Sequence, residues 1–377
     1  MRTPASPAAY ITLPAPERPC AAPATFAPCA PSTIPPLPAF AALPTGLRNL
    51  CRCVRDFMEG YCAPALNVGG YVLAVSGGAD SLALLTILAL WRQREDMPLS
   101  VVQCDHGLRP QSRAEALYVR EVCTAWGIPC TLAELQVAAF AAASGTGVEE
   151  AARGLRYAAL ELARHALAAD AWVCTAHHVE DVQEDMLLRL VRGTGWPALG
   201  GMCACDPARH VCRPLLGTEP EALKGLLRHV GLAWVEDASN AAPGCRRNRI
   251  RHTVLPLLRQ ENPHFSRASL DVWRMAQEDA AHWEDSLQAL LRAHGLPAEP
   301  GAPLTRLPCS LLRACDRATR MRLYVRAMRS LARGQARRRT LERLDAAIMA
   351  RHGGTCFQLP GKVSARIDGD ALVFVTD

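Results

Sequence analysis

The chain has 377 residues, of which 50% are hydrophobic and 21% charged, so it can build a sizeable core and is not wholly disordered. No apolar run approaches the roughly 20 residues of a membrane helix, and the first residues lack the pattern of a secretory signal. The sixteen cysteines include no C-x-x-C pair, which favours reduced thiols over a disulfide framework. These features predict a soluble cytoplasmic protein long enough for two domains.

The positive charge is unevenly distributed along the chain. The formal net charge is +6, yet the segment 306–345 alone holds twelve Arg against three acidic residues. Such an excess suggests a polyanionic partner, above all a nucleic acid. Alternatively, Arg serves this protein as its ordinary surface cation, because the chain contains only two Lys. Charge alone leaves both interpretations open.

The N-terminal segment 1–46 differs in composition from the rest of the chain. It contains twelve Pro and twelve Ala, and its charged residues are Arg2, Glu17 and Arg18. Proline at this density opposes both helices and sheet ladders. The segment is therefore expected to be a disordered tail.

From residue 47 onward, short apolar runs alternate with helical patterns. We predict strands at 71–75, 99–104, 130–135 and 171–175, and helices at 82–91, 112–126, 148–168, 179–192 and 218–230, two of them opened by capping boxes at Ser112/Glu115 and Thr218/Glu221. This alternation predicts an α/β fold with a doubly wound, mostly parallel sheet in residues 47–262. Residues 263–377 are predicted to be helical and Arg-rich, ending in a small β-hairpin within 362–375.

A glycine-containing turn follows the first predicted strand. Residues 76–81 read Ser-Gly-Gly-Ala-Asp-Ser, so glycines admit a ligand close to the backbone, and the next helix offers its free N–H groups to an anion. A bare Gly-Gly turn is usually only a tight connection, whereas the full S-G-G-x-D-S pattern resembles the pyrophosphate loop of N-type ATP pyrophosphatases. This resemblance implies an adenine nucleotide alpha hydrolase-like fold. It also implies that Ser76, Gly77, Gly78, Ala79, Asp80 and Ser81 hold ATP, with Asp80 binding its Mg²⁺.

Two histidines and two carboxylates stand at a later strand end. His177 and His178 follow the fourth predicted strand, and Asp181 and Glu184 are spaced i, i+3 on the next helix, so both carboxylates share one face. A carboxylate pair suits an ammonium group, and a neighbouring imidazole suits a phosphate or a proton in transit. The alternatives are a metal site or an ordinary exposed helix start, where acidic residues favour the helix dipole.

The order of motifs over about residues 70–260 resembles the tRNA(Ile)-lysidine synthetase family. The matching segments are Asp105-His106-x-Leu108-Arg109 with Ser112 and Glu115, Glu150-x-x-Arg153 with Arg156-Tyr157, Thr175-Ala176-His177-His178 with Asp181, Glu184 and Arg192-Gly193, Arg213-Pro214-Leu215, Asp237-x-Ser239-Asn240, and Arg247-Asn248-x-Ile250-Arg251. The family's Asp-Asp-Gln is Glu180-Asp181-Val182 here, and Asp185 stands where Thr is usual.

The resemblance implies an enzyme that joins free lysine to the C2 carbon of the wobble cytidine of a CAU-anticodon tRNA(Ile), through an adenylylated tRNA. It implies that His177 contacts phosphate and that Asp181 and Glu184 bind the lysine amine, with Asp80 as the fourth catalytic residue. The remaining implied roles are ATP binding by Asp105 and His106, and tRNA binding by Arg153, Arg192, Arg247, Asn248, Arg251 and the C-terminal region.

Three other interpretations are weighed against this one. A tRNA cytidine 2-thiolase of the same superfamily would need paired C-x-x-C cysteines, which the chain lacks. A non-catalytic nucleotide- or RNA-binding protein would bind ATP without exchanging pyrophosphate. A zinc site at Cys203, Cys205, His210 and Cys212 has tighter spacing than usual zinc ligands. The sequence also leaves a homodimer open.

Overall fold

The computed structural model describes residues 6–13, 34–106, 112–236, 246–331 and 338–376. The chain divides into two compact units, Met1–Gln277 and Glu278–Asp377. This division falls inside one helix, Phe265–Ala293, and not at the boundary between residues 262 and 263 predicted from the sequence.

A seven-stranded sheet forms the centre of the described part of the first unit. Its strands are β1 (Ile11–Thr12), β2 (Tyr71–Ala74), β3 (Leu99–Asp105), β4 (Cys130–Leu135), β5 (Trp172–Cys174), β6 (Cys205–Asp206) and β7 (Val211–Cys212). The spatial order is β1-β4-β3-β2-β5-β7-β6. The five inner strands are parallel, and both edge strands are antiparallel to their neighbours. The predicted mostly parallel sheet is confirmed.

Helices cover both faces of this sheet. They are α1 (Thr45–Tyr61), α2 (Ala79–Arg92), α3 (Ser112–Ala125), α4 (Val137–Ser144), α5 (Val148–Leu167), α6 (Val179–Val191), α7 (Pro220–Val230), α8 (Arg246–Arg249), α9 (Leu255–Glu261) and α10 (Phe265–Ala293). A π-helical turn, Ile250–Val254, joins α8 to α9. The core on one face includes α1, α2 and α7, whereas α4 and α5 pack on the other, so the sheet is doubly wound as predicted.

The expectation of a disordered tail over residues 1–46 is wrong for its described parts. Strand β1 pairs with β4, and the Tyr10 ring packs edge-on against Phe140 with 5.4 Å between centroids. Phe40 and Leu43 are buried in the main core. Proline lacks a donor but keeps its carbonyl, and the Pro35 carbonyl accepts a bond from the Trp126 indole at 2.9 Å. The apolar residues among the prolines therefore order these stretches.

One of the predicted helix starts is also corrected. Helix α7 begins at Pro220 with Glu219 as its N-cap and has no side-chain cap, so the capping box at Thr218 and Glu221 is absent. Proline at the first helical position sets the backbone there and needs no amide partner. A capping box does open α6, where the His178 ring accepts a bond from the Glu180 amide and Asp181 accepts one from the His178 amide.

The second unit has its own core and its own sheet. Its elements are β8 (Arg306–Pro308), α11 (Cys309–Ala314), α12 (Arg317–Leu331), α13 (Arg338–Met349), β9 (Cys356–Leu359), β10 (Val363–Asp368) and β11 (Ala371–Thr376). The predicted hairpin consists of β10 and β11, and the antiparallel order β8-β11-β10-β9 adds two strands that the sequence did not indicate. Arg320 is buried in this core, where its guanidinium bonds both oxygens of Asp345 at 2.6 and 3.1 Å.

Candidate active site

The loop 76–81 connects β2 to α2 in a conformation that depends on glycine. Gly77 has φ +89°, a region that side chains rarely adopt, and its carbonyl accepts a bond from the Val235 amide at 3.0 Å. The Ser81 hydroxyl accepts a bond from the Ser76 amide at 3.2 Å and donates to the Gly78 carbonyl at 2.9 Å. These bonds brace a turn that presents the N-terminus of α2 at the carboxyl edge of the sheet.

Asp80 lies in the first turn of α2 and faces His178. Its Oδ2 atom is 3.5 Å from His178 Nε2, and the same nitrogen is 3.7 Å from Asp181 Oδ2. A single imidazole thus links the loop to the start of α6. Among the described residues, the Asp80 Oδ1 atom is buried with no hydrogen-bond partner. A buried carboxylate oxygen of this kind calls for a donor or a cation.

Asp181 and Glu184 share one face of α6, as their spacing predicted, but they are buried beneath arginines. Arg247 donates to Asp181 at 2.7 Å and to Glu184 at 2.5 Å. Arg251 contacts both carboxylates as well. Burial by itself would raise the pKa of Asp181, but the charge of His178, the hydrogen bond from the His178 amide and the charge of Arg247 outweigh it and lower that pKa. The alternative of an ordinary exposed helix start is therefore wrong, because Asp181 and Glu184 are buried and each carboxylate is paired with arginine.

His177 is held in its neutral form. Burial is the main cause that lowers its pKa from 6.5 to about 4, and Arg213, Arg247 and Arg153 act in the same direction. Its Nδ1 atom is 2.9 Å from the Thr175 hydroxyl. At neutral pH the ring is therefore a hydrogen-bonding group without charge. It can contact a phosphate as a neutral donor, and it is not an imidazolium.

The other predicted site residues lie at different depths around this edge. Asp105 ends β3, and His106 follows it, both partly exposed. Arg153 is exposed on α5, with its guanidinium 5.1 Å from the centre of the Tyr157 ring. Arg192 is the exposed C-cap of α6, and Asn248 is partly exposed on α8. The motif residues at 107–111 and 237–245 lie outside the described part of the chain.

The three residues that differ from the family pattern, Glu180, Val182 and Asp185, each have defined surroundings in the structure. The Glu180 carboxylate bonds Arg259 at 2.7 Å, which keeps this acidic side chain on the outer side of α6. Val182 is fully buried in the apolar core, where an amide would lack partners, whereas the neighbouring Gln183 donates to Ser266 and Ser269. Asp185 bonds Arg189 at 3.0 Å.

The sequence analysis assigned no role to Arg213, although this residue lies at the site. It is buried, it donates to the Cys203 carbonyl at 2.7 Å, and its charge lowers the pKa of His177. Its place in the motif Arg213-Pro214-Leu215 was the available signal.

The cysteines near this edge meet as thiol pairs. The Cys174 and Cys212 sulfurs, on adjacent strands, are 3.1 Å apart, and a hydrogen bond to Cys62 is the main cause that raises the pKa of Cys205. Within the described residues, no group of three or more His, Cys, Asp or Glu side chains is arranged to hold a metal ion.

The chain is similar to known proteins of one family. The model of the PP-loop domain family matches residues 55–258. The tRNA(Ile)-lysidine synthase of Nitratidesulfovibrio vulgaris is 46% identical over 338 residues, covering 86% of this chain and 96% of that protein. The chain belongs to the tRNA(Ile)-lysidine synthase family.

Longer members of this family match the chain over part of their length. The synthases of Alkalilimnicola ehrlichii and Thermus thermophilus are 41% and 36% identical, over 59% and 77% of this chain. The chain spans about half of each, 47% and 56%. In the described part of this family member, no helix is long and apolar enough to cross a membrane.

Proposed function

We propose that the chain ligates lysine to the C2 carbon of the wobble cytidine of tRNA(Ile) with a CAU anticodon, consuming ATP and releasing AMP and pyrophosphate. The observation that carries the proposal is the link through His178, whose Nε2 atom lies 3.5 Å from Asp80 in the loop and 3.7 Å from Asp181 on α6, both within ion-pair distance. The proposed sites for the triphosphate and for the ammonium group would thus share one edge of the sheet. The names of the similar proteins support the same reaction.

In the first step, the cytidine O2 attacks the α-phosphate of ATP and pyrophosphate leaves. The N-terminus of α2 and the loop 76–81 supply amide donors for the leaving group. His177, neutral at pH 7, offers one hydrogen bond to the reacting phosphate without adding charge. Asp105 and His106, at the end of the neighbouring strand β3, are proposed to contact the same nucleotide.

Magnesium fits beside Asp80 as part of the nucleotide complex. The buried Asp80 Oδ1 atom, which has no hydrogen-bond partner among the described residues, is the observation that supports this fit. Since no cluster of three ligating side chains is described, such an ion would take its other ligands from phosphates and water, as Mg²⁺ usually does. The ion would neutralise charge on the departing pyrophosphate.

In the second step, the lysine ε-amine attacks C2 and AMP leaves. We propose that Asp181 and Glu184 orient this amine and that one of them takes its proton. Both carboxylates are paired with Arg247 and Arg251 in the structure, so the arginines must give up part of these bonds before an ammonium can bind. Phosphate groups of the tRNA are suitable new partners, because guanidinium pairs with them bidentately.

The tRNA is proposed to contact both units. In the first unit the proposed contacts are Arg153 on α5, Arg192 at the C-terminal end of α6, and Arg247, Asn248 and Arg251 in the segment that follows residue 245. The further proposed contacts are exposed arginines of the C-terminal region 263–377, which includes the whole second unit. The cytoplasmic location and a homodimer stay predictions from the sequence.

The direct test is incubation of the protein with ATP, labelled lysine and a CAU-anticodon tRNA(Ile) transcript, followed by nucleoside analysis. We expect labelled lysidine that depends on ATP and on cytidine at the wobble position. A thiolated nucleoside, or ATP binding without pyrophosphate release, would contradict the proposal.

Two variants separate the steps. Glu184→Gln removes one charge that faces the ammonium, so the KM for lysine should rise about ten- to a hundred-fold, while adenylylation without lysine changes little. His177→Ala should slow adenylylation and leave lysine capture from a preformed adenylate largely intact. If Glu184→Gln slows adenylate formation as much as His177→Ala does, the carboxylates belong to the nucleotide site.

A further inference from the structure

Arg213 is a buried arginine whose guanidinium has more donors than partners. The residue is 9% exposed. Its hydrogen bonds within the described structure go through Nη1, which donates to the Cys203 carbonyl at 2.7 Å and lies 3.9 Å from the Cys203 sulfur. The Nε atom is buried and has no hydrogen-bond partner among the described residues. Because a buried donor without a partner is costly, this one points to a ligand.

No acidic side chain in the described part of the chain balances the charge of Arg213. Arg247 and Arg251 form ion pairs with the carboxylates of α6. Asp206, on the strand next to β7, contacts Arg209 at 3.9 Å, and no described carboxylate forms an ion pair with Arg213. Buried charges in proteins are normally paired, so the missing partner of this guanidinium is expected to be an anion.

The sheet places Arg213 beside the neutral histidine of the candidate active site. Strands β5 and β7 are parallel with Cys174 opposite Cys212, and the Thr175 amide donates to the Cys212 carbonyl at 3.0 Å. The same register sets Thr175 opposite Arg213, so the two side chains leave the same face of the sheet. The Thr175 hydroxyl in turn lies 2.9 Å from His177 Nδ1. Arg213 is therefore the neighbour of the pair formed by Thr175 and His177.

The charges around His177 favour an anion at this position. Burial lowers the pKa of His177 most, and the charges of Arg213, Arg247 and Arg153 lower it further, against the charge of Asp181. Three guanidinium groups thus act on a ring that carries no charge of its own. A phosphate next to this ring would meet cationic donors, whereas an ammonium group would be repelled by them.

We propose that Arg213 binds the α-phosphate of ATP through its Nε–Nη2 edge and holds the same phosphate in the adenylylated tRNA. This inference rests on the proposed function and adds a phosphate contact to it. In the first step a bond forms between the cytidine O2 and the α-phosphorus, and pyrophosphate leaves with the electron pair of the broken bond. Arg213 transfers no proton. It donates to the non-bridging oxygens, while the bond from Nη1 to Cys203 fixes the orientation of the planar fork.

The two diastereomers of ATPαS test this contact, because each carries sulfur in place of one non-bridging oxygen of the α-phosphate. We measure the Kd of each diastereomer, and the rate of pyrophosphate release with tRNA and without lysine. Arg213→Gln should slow pyrophosphate release from ATP about ten- to a hundred-fold and remove most of the parent's preference for one diastereomer. Arg213→Lys keeps the charge without the fork, so it should recover part of the rate and not the preference. The KM for lysine should stay unchanged in both variants.

Arg209→Gln is the matched control. Arg209 is exposed just before β7, at the end of the strand away from the candidate active site. Its substitution should change neither the rate of pyrophosphate release nor the preference between diastereomers. Urea unfolding shows whether each variant is folded. If Arg213→Gln does not fold, the diastereomer preference of Arg213→Lys decides.

The other anion of the reaction is the carboxylate of lysine, and cadaverine, which lacks it, separates the two. If Arg213→Gln loses the preference for lysine over cadaverine and keeps that for one diastereomer, Arg213 holds the lysine carboxylate and the proposal is wrong. Equal losses with both diastereomers would also overturn it, since a purely structural arginine would act in this way. If the parent forms no lysidine but Arg213→Gln changes the ratio of the two Kd values, the proposed reaction fails and the phosphate contact stands.

Discussion

His177 and His178 are adjacent in sequence, but their pKa values move in opposite directions. Burial dominates at His177 and lowers its pKa to about 4. At His178 burial acts the same way, but the hydrogen bond that the ring donates to Asp80 and the charge of Asp181 outweigh it and raise the pKa. The first ring therefore stays neutral, whereas the second lies between the carboxylates of Asp80 and Asp181. The difference in pKa depends in part on Asp80, which is distant from both histidines in sequence.

The neutral state of His177 predicts a pH dependence of stability. A histidine whose folded pKa is depressed from 6.5 to about 4 contributes stability that is present above pH 6.5 and is lost as the pH falls toward 4. Between pH 7.5 and 5.0 this loss amounts to about 2 kcal/mol. His177→Asn should lose that much less stability over the same interval in urea unfolding. An identical pH dependence in the two proteins would show that His177 is charged or exposed.

Gly77 and Gly78 are adjacent in the loop but differ in backbone conformation, so the same substitution should affect them differently. Gly77→Ala should cost about 1–3 kcal/mol and raise the KM for ATP, because φ +89° is unfavourable for a side chain even though the nearest atom is 3.5 Å away. Gly78 has φ −74° and ordinary space around it, so Gly78→Ala is the matched control and should change both quantities less. Urea unfolding and ATP kinetics measure the pair. Equal effects would show that the loop conformation does not depend on Gly77.

At the scale of elements, the parallel sheet could be predicted because its inner strands are short apolar runs between helical patterns. The carboxylate pair on α6 could also be predicted, since i, i+3 spacing fixes a shared face. The strand β1 and the buried residues Phe40 and Leu43 could not, because their partners are far away in sequence and the prolines around them conceal the apolar pattern. The resemblance implies only tRNA binding for Arg247 and Arg251, and the fold is needed to show that they pair with Asp181 and Glu184.

Arg247 and Arg251 connect the segment 246–261 to α6 through ion pairs with Asp181 and Glu184, which we call the charge cluster. We expect substitutions within this cluster to have non-additive effects on stability. Arg251→Ala should lower the free energy of unfolding by about 1–3 kcal/mol, less than for a fully unpaired buried charge because Arg247 still pairs with Glu184. In a Glu184→Gln background the same substitution should cost much less. Arg246→Ala, exposed at the start of α8, is the control and should be nearly neutral. Additive losses in the double variant would contradict the cluster.

In the whole molecule, the arginines of the basic segment 306–345 fall into two groups, buried and exposed. In the second unit Arg320 is structural, since it is buried against Asp345 and Tyr324. Other arginines of the same segment, such as Arg339 and Arg343 on α13, are exposed. Part of the positive charge in 306–345 is thus neutralised inside the fold. The net charge of the segment therefore overestimates the number of arginines that a polyanion can contact.

The exposed arginines of this segment predict how the tRNA affinity depends on salt concentration. Arg339→Gln combined with Arg343→Gln should weaken tRNA binding at low salt and reduce the slope of log affinity against log salt by roughly 1.5, since each lost phosphate contact removes about 0.7–0.9. The KM for lysine and ATP should stay unchanged, because both substitutions lie outside the candidate active site. The matched control is Arg366→Gln on β10, an exposed arginine that bonds Asp368 at 2.7 Å and should leave the slope as it is. Arg320 is unsuitable for this test, because removing a buried guanidinium would leave Asp345 unpaired and destabilise the unit. If the double variant binds tRNA with the slope of the parent, α13 is a solvated surface and the contacts of the tRNA with this unit lie elsewhere.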